Sequence, residues 1–151
     1  MDELSILEKL QANFDEMIEI RRHLHMYPEL SFKEVNTPKL IAEKLASFGI
    51  EVKENVGGNG VVGLLKGTLD GPTIAFRADF DALPIQDEKD VSYKSKIDGV
   101  SHACGHDIHT AALLGLAKAL ADAREILHGN IVFIHQFAEE VVPGGAKAMV
   151  E

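Results

Sequence analysis

The run Asn130–Phe137, NIVFIHQF, constrains this chain most. It reads as a buried strand, and it follows a strongly apolar helical stretch. That stretch begins near Ile108, carries Leu113, Leu114, Leu116, Ala117, Leu120, Ile126 and Leu127, and has Gly129 as its stop. Three shorter strand-like runs precede it, Ile50–Val56, Val61–Leu65 and Thr73–Arg77. Gly57-Gly58-Asn59-Gly60 joins the first two as a hairpin-type turn. The glycine cluster is not a phosphate cradle, because no helix opens after it and no Lys-Ser/Thr pair closes it. Nearer the start, Leu4, Leu7, Leu10, Phe14, Met17, Ile18 and Leu24 fall at helix spacing, and Tyr27-Pro28 ends that helix. Thr37 before Pro38 reads as an N-cap and first-turn proline, opening a helix to about Phe48 that Gly49 stops. Alternating strands and helices favour an α/β architecture.

The 151 residues have the length of one domain, and 46% hydrophobic residues support a core. With 15 Lys and Arg against 24 Asp and Glu, the net charge is -9. Nucleic-acid binding is not expected, since neutralising phosphate dominates that affinity. No apolar run approaches the roughly 20 residues a bilayer span needs. The start, MDELSILEKL, is acidic and amphipathic, whereas a secretory signal needs a basic start and an apolar stretch. The single cysteine cannot form an internal disulfide. A soluble protein of the reducing cytoplasm is expected.

Residues Asp81–Ala103 form a long polar stretch of little periodicity, and such loops are often functional. It leads into SHACGHDIHT, which holds the only cysteine and three of the seven histidines. Cys104, His102, His106 and His109 place soft and borderline donors within one loop and one helical turn, with Asp107 among them. That set suits a zinc-like transition metal. Three polar groups stand just past apolar runs: Arg77–Asp81, Cys104–His109 and Glu139-Glu140. In open α/β sheets ligands bind beyond the carboxyl ends of strands, so all three could meet there. Adjacent glutamates at the end of a buried strand are costly without compensation, and a divalent cation would provide it. Their side chains point in different directions, so one can hold a metal while the other handles a proton. His23, His25, His128 and His135 lie outside the cluster. His128 reads as a dipole partner at a helix C-terminus and His135 as a satisfied core histidine.

The stretches HLHMYPELSFKE, RADFDALP, SHACGHDIHTAALLG and IVFIHQFAEE follow one another as in bacterial N-acyl-amino acid amidohydrolases. Hippurate hydrolases and plant auxin-conjugate hydrolases share the pattern. The chain thus resembles the aminoacylase/carboxypeptidase type of dinuclear metallopeptidase over about residues 15–151. The resemblance implies a three-layer α/β/α sandwich of the zinc-exopeptidase type with a mixed sheet. It implies hydrolysis of the amide between an acyl group and an amino acid. It also implies two divalent ions, zinc or manganese, with nickel or cobalt sometimes serving. By motif position Cys104, His106 and Glu140 resemble metal ligands and Glu139 the general base. Asp79 matches an acid that orients the site, with Arg77 where other relatives have histidine. Asp107 and His109 match positions that support the ligands. Tyr27 and Phe137 depart from the common pattern without touching a ligand. Family members are much longer, and they supply two further metal-binding histidines and a smaller domain for dimerisation and substrate binding. Residues 1–151 are therefore expected to be the N-terminal part of the catalytic domain. Alone, they are expected to bind one metal or none and to be inactive, whereas the full-length form is expected to be a homo-oligomer acting on a small N-acyl amino acid.

Two other readings stay open. Cys104 stands just before a helix, where the dipole lowers a thiol pKa, and a nearby histidine could serve as base in a cysteine hydrolase. That reading leaves Glu139-Glu140 unexplained, and its mark would be fast alkylation at neutral pH whatever the chelator. Alternatively the chain is a non-catalytic remnant or interaction module with exposed apolar surface, marked by self-association without bound metal.

Overall fold

The computed structural model describes residues 3–151, so Met1 and Asp2 of the acidic start lie outside the described residues. The first helical stretch is two helices, α1 (Glu3–Ala12) and α2 (Phe14–Met26). They part at Asn13, which adopts φ -93° and ψ 2°. Asparagine competes poorly inside helices, and one such residue suffices to break the ladder here. Tyr27 ends α2 as expected.

Helix α3 spans Asn36–Ser47. Thr37 is not its cap. The Glu29 carboxylate instead accepts the N–H groups of Val35 at 2.9 Å, Asn36 at 2.9 Å and Thr37 at 2.6 Å. A glutamate reaching back from the preceding loop satisfies three orphan donors, where a threonine hydroxyl could take one. Gly49 follows α3 with φ 72°, the left-handed stop that the sequence predicts.

Four strands form one mixed sheet: β1 (Glu51–Val56), β2 (Gly60–Lys66), β3 (Leu69–Asp79) and β4 (His128–Gln136). Their order is β1-β2-β4-β3. The β1–β2 and β2–β4 pairs are antiparallel, and β3–β4 is parallel. Between β3 and β4 the chain runs through an irregular loop to α4 (His106–Ala121) and a 3₁₀ turn at Arg124–Ile126. Helix α4 thus starts and stops before the expected positions. Gly129 is not a helix stop but a β4 residue at φ 74°, where an added Cβ would lie 1.9 Å from the Pro72 carbonyl oxygen. A short α5 (Ala146–Val150) ends the described chain.

Helices α3 and α4 lie together on one face of the sheet, and α2 packs along α4. Ile41, Leu45, Val61, Leu65, Leu114 and Phe133 are fully buried between these layers. The strand period assigns Val62, Leu64, Val132 and Ile134 to the opposite face, where they are half-buried. The class is α/β with a mixed sheet. Among the described residues no helix is long and apolar enough to cross a membrane.

Candidate metal centre

Parallel pairing brings the carboxyl ends of β3 and β4 side by side, with Asp79 opposite Gln136. Past β3, Phe80 donates its N–H to the Gln136 carbonyl at 3.1 Å, which keeps Asp81 beside the exit of β4. Past β4, Ala138 turns the chain with φ 47° and presents Glu139 and Glu140. Helix α4 opens at His106, with Cys104 just before and Gly105 at φ 92° as its N-cap. The three polar groups predicted to meet at the strand ends do so.

His106 is the hub. Its Nδ1 lies 3.0 Å from the Asp81 carbonyl oxygen and 3.1 Å from Asp81 Oδ1. Both are acceptors, so Nδ1 carries the hydrogen and Nε2 faces the other groups. From Nε2 it is 3.5 Å to Asp79 Oδ1, 3.5 Å to Glu140 Oε1 and 3.8 Å to Glu139 Oε2. Burial opposes charge on His106, but the Asp81 bond and the charges of Asp79, Asp81 and Glu140 prevail and push its pKa up. Asp81 receives Ser31 Oγ at 2.7 Å and the Glu140 N–H at 3.0 Å. Burial would raise its pKa, but these donors and His106 hold the carboxyl well below the usual range.

Cys104 is exposed. The adjacent Glu140 carboxylate, then burial, then the charges of Glu139 and Asp79 push the thiol up to about 11. The carboxylates act against the thiol-lowering effect expected at a helix N-terminus, and a bound cation would displace the thiol proton.

Two sets of donors converge within 4.8 Å: Cys104, His106 and Glu140, and Asp79, His106 and His109. Both include His106. Asp79 is already committed. It accepts from His109 Nδ1 at 2.6 Å and lies 3.2 Å from Arg77 Nη1, while Arg77 Nε donates to Gln136 Oε1 at 2.8 Å. Glu140 Oε1, in contrast, is buried without a hydrogen-bond partner among the described residues. A buried carboxylate oxygen left unpaired is costly, and a divalent cation satisfies it. The thiol, imidazole and carboxylate of the first set also match the donor chemistry of a zinc-like ion.

Other residues of the cluster are placed differently. Asp107 turns away from both donor sets to His25 Nδ1 at 2.6 Å, with Arg21 Nε at 3.0 Å. His25 is buried and also lies 3.3 Å from Asp87, on the long loop. His102 joins neither donor set. It is buried with both ring nitrogens unpartnered among the described residues, and burial pulls its pKa down to about 4 against the nearby Asp107 charge. His135 is fully buried and also unpartnered, not satisfied, so burial alone takes it down to about 3. His128 lies at the start of β4, with Nδ1 3.1 Å from the Asp70 carbonyl. In the sequence Asp81 is one member of the polar group Arg77–Asp81 and His25 lies outside the cluster; only proximity across the fold reveals their contacts with His106 and Asp107.

Residues 75–151 match the profile of peptidase family M20/M25/M40. The Bacillus subtilis protein YhaA is 59% identical over 146 residues, 97% of this chain and 37% of its own length. An N-acyl-L-amino acid amidohydrolase of Geobacillus stearothermophilus is 48% identical over 136 residues, 90% of this chain and 37% of its own length. A crystal structure of the B. subtilis YXEP protein, a dinuclear metal binding peptidase of the M20 family, superposes with TM-score 0.86 and 45% identity. It covers 93% of this chain and 39% of that one. The chain thus spans about two fifths of the length of such relatives.

Proposed function

The chain belongs to peptidase family M20/M25/M40, and we propose that residues 1–151 form the N-terminal part of the catalytic domain of a metal-dependent amidohydrolase that cleaves N-acyl amino acids. One observation carries this reading: buried Glu140 Oε1 has no hydrogen-bond partner among the described residues, yet stands within reach of Cys104 and His106. Those three residues would hold a divalent cation, zinc or manganese, with nickel or cobalt as substitutes. The cation would polarise the amide carbonyl and make water a nucleophile at neutral pH.

The chain's own groups divide the remaining work. The Glu140 side chain is 19% exposed and Glu139 42%, so the inner carboxylate suits a ligand and the outer one a base. Glu139 takes a proton from the attacking water and returns it to the leaving amine. Asp81 fixes which nitrogen of His106 is free, and Asp79, held between Arg77 and His109, bounds the site beside it. A second cation needs donors beyond these, because the Asp79 set shares His106. A reducing compartment suits this role, since it keeps Cys104 a thiol. The homo-oligomer expected of the full-length form belongs to the same proposal.

Metal content tests the site. Elemental analysis of protein purified without chelator should find zinc, manganese or nickel in the wild type and none in Cys104→Ala. Metal-free protein in both cases would show that the three donors do not suffice. In a full-length form, Glu139→Gln should abolish turnover and leave metal content intact. Metal loss in that variant would make Glu139 a ligand and reverse the assignment.

A further inference from the structure

Ala138 is fully buried and takes φ 47°, although it carries a Cβ. Left-handed backbone is costly for such a residue and persists only where its surroundings enforce it. Its N–H donates to Glu34 Oε1 at 2.9 Å, and its carbonyl accepts from the Gly145 N–H at 3.0 Å. Glu34 is 2% exposed, and its other oxygen, Oε2, accepts from Asn59 Nδ2 at 3.0 Å. The carboxylate therefore bridges the β1–β2 hairpin tip and the residue just before Glu139. On the other side, the Glu140 N–H is held by Asp81. The acidic pair is suspended between two buried carboxylates from separate segments.

The stretch that contains Glu34 contributes repeatedly to this scaffold. Ser31 donates to Asp81, and the Glu29 carbonyl accepts the Ala82 N–H at 2.8 Å. Burying a carboxylate is expensive, and Glu34 is held chiefly by Ala138 and Asn59, neither a cation.

We propose that Glu34 is a positioning residue of the metal centre: by holding Ala138 in the left-handed conformation it aims Glu140 at the cation and Glu139 at the water. The role rests on the reading of Glu140 as ligand and Glu139 as base. It does not require Glu34 to touch metal or substrate.

Two measurements on the 151-residue chain test it, with Glu34→Ala and Glu34→Gln compared to wild type. Without metal, NMR reads the sign of φ at Ala138. It should be positive in the wild type and in Glu34→Gln, whose amide oxygen still accepts the Ala138 N–H once Asn59 flips. It should be lost in Glu34→Ala. Cobalt(II) titration, followed through thiolate-to-cobalt absorption, reads the ligand set. Glu34→Ala should bind cobalt roughly 10- to 100-fold more weakly, the usual effect of removing a group that orients a ligand, and Glu34→Gln should stay close to wild type. A folded Glu34→Ala chain with positive φ at Ala138 and undiminished cobalt affinity overturns the proposal. So does a Glu34→Gln chain as weak as Glu34→Ala. If Glu34→Ala does not fold, Glu34→Asp, whose carboxylate is one methylene too short to bridge both partners, is read the same way. Failure of the wild type itself to bind cobalt would show that Cys104, His106 and Glu140 do not suffice to hold an ion in the 151-residue chain, and the NMR arm then decides the role of Glu34 alone.

Discussion

His135 sits mid-strand in β4 with no exposed surface, and neither ring nitrogen finds a partner among the described residues. Its folded pKa, about 3, lies below the ordinary value of 6.5. As pH falls, the unfolded chain takes the proton first, so the stability contributed by neutral His135 is complete above the unfolded pKa and is lost as pH falls toward the folded one. Between pH 7 and pH 5 the wild type should lose roughly 2 kcal/mol that His135→Leu keeps, at about 1.4 kcal/mol per pKa unit. Urea unfolding of both proteins at the two pH values measures the difference, and parallel losses would refute it. The sequence shows His135 inside an apolar strand and says nothing about its hydrogen bonds, because a partner arrives from another element or not at all. Cys104, His106, Glu139 and Glu140 are legible for the opposite reason. Each stands a few residues from another donor, so chain connectivity itself keeps them near one another.

At the scale of elements, periodicity finds the strands to within a few residues, because each buries one face or two. It places boundaries less well. Asn13 splits a helix whose apolar spacing runs on through it. Gly129 reads as a helix stop, yet it is a β4 residue in close contact with the Gly71-Pro72 backbone of β3, and its carbonyl accepts from Gly67 at 2.9 Å. A positive φ is demanded equally by a helix end and by a strand irregularity, so the residue alone does not choose between them. The Gly129→Ala variant must strain the backbone or push the Pro72 carbonyl aside. It should destabilise the fold by at least about 2 kcal/mol, the scale of left-handed strain plus a backbone clash. A denaturation midpoint equal to wild type with an unchanged slope would contradict this contact.

Across the whole molecule, the proposed cation joins segments that are distant along the chain: the opening of α4 with Cys104 and His106, and the exit of β4 with Glu140. A cation bound only by the folded form must stabilise the whole, by about 2.7 kcal/mol at a hundredfold excess over Kd. Zinc should raise the thermal midpoint of the wild type, chelator should reverse the rise, and Cys104→Ala should abolish it. An equal rise in the variant would place the ion elsewhere. The sequence by itself determined the α/β class, the strand-end location of the site and its donor types, since periodicity and short spacings are properties of the chain. Only the tertiary structure decided that Asp81 orients His106, that Asp107 turns to His25, that His102 stands apart from both donor sets and that Glu34 reaches Ala138. Those pairings span 25 to 104 residues. They follow from how the strands register and the helices pack, and no local spacing encodes them.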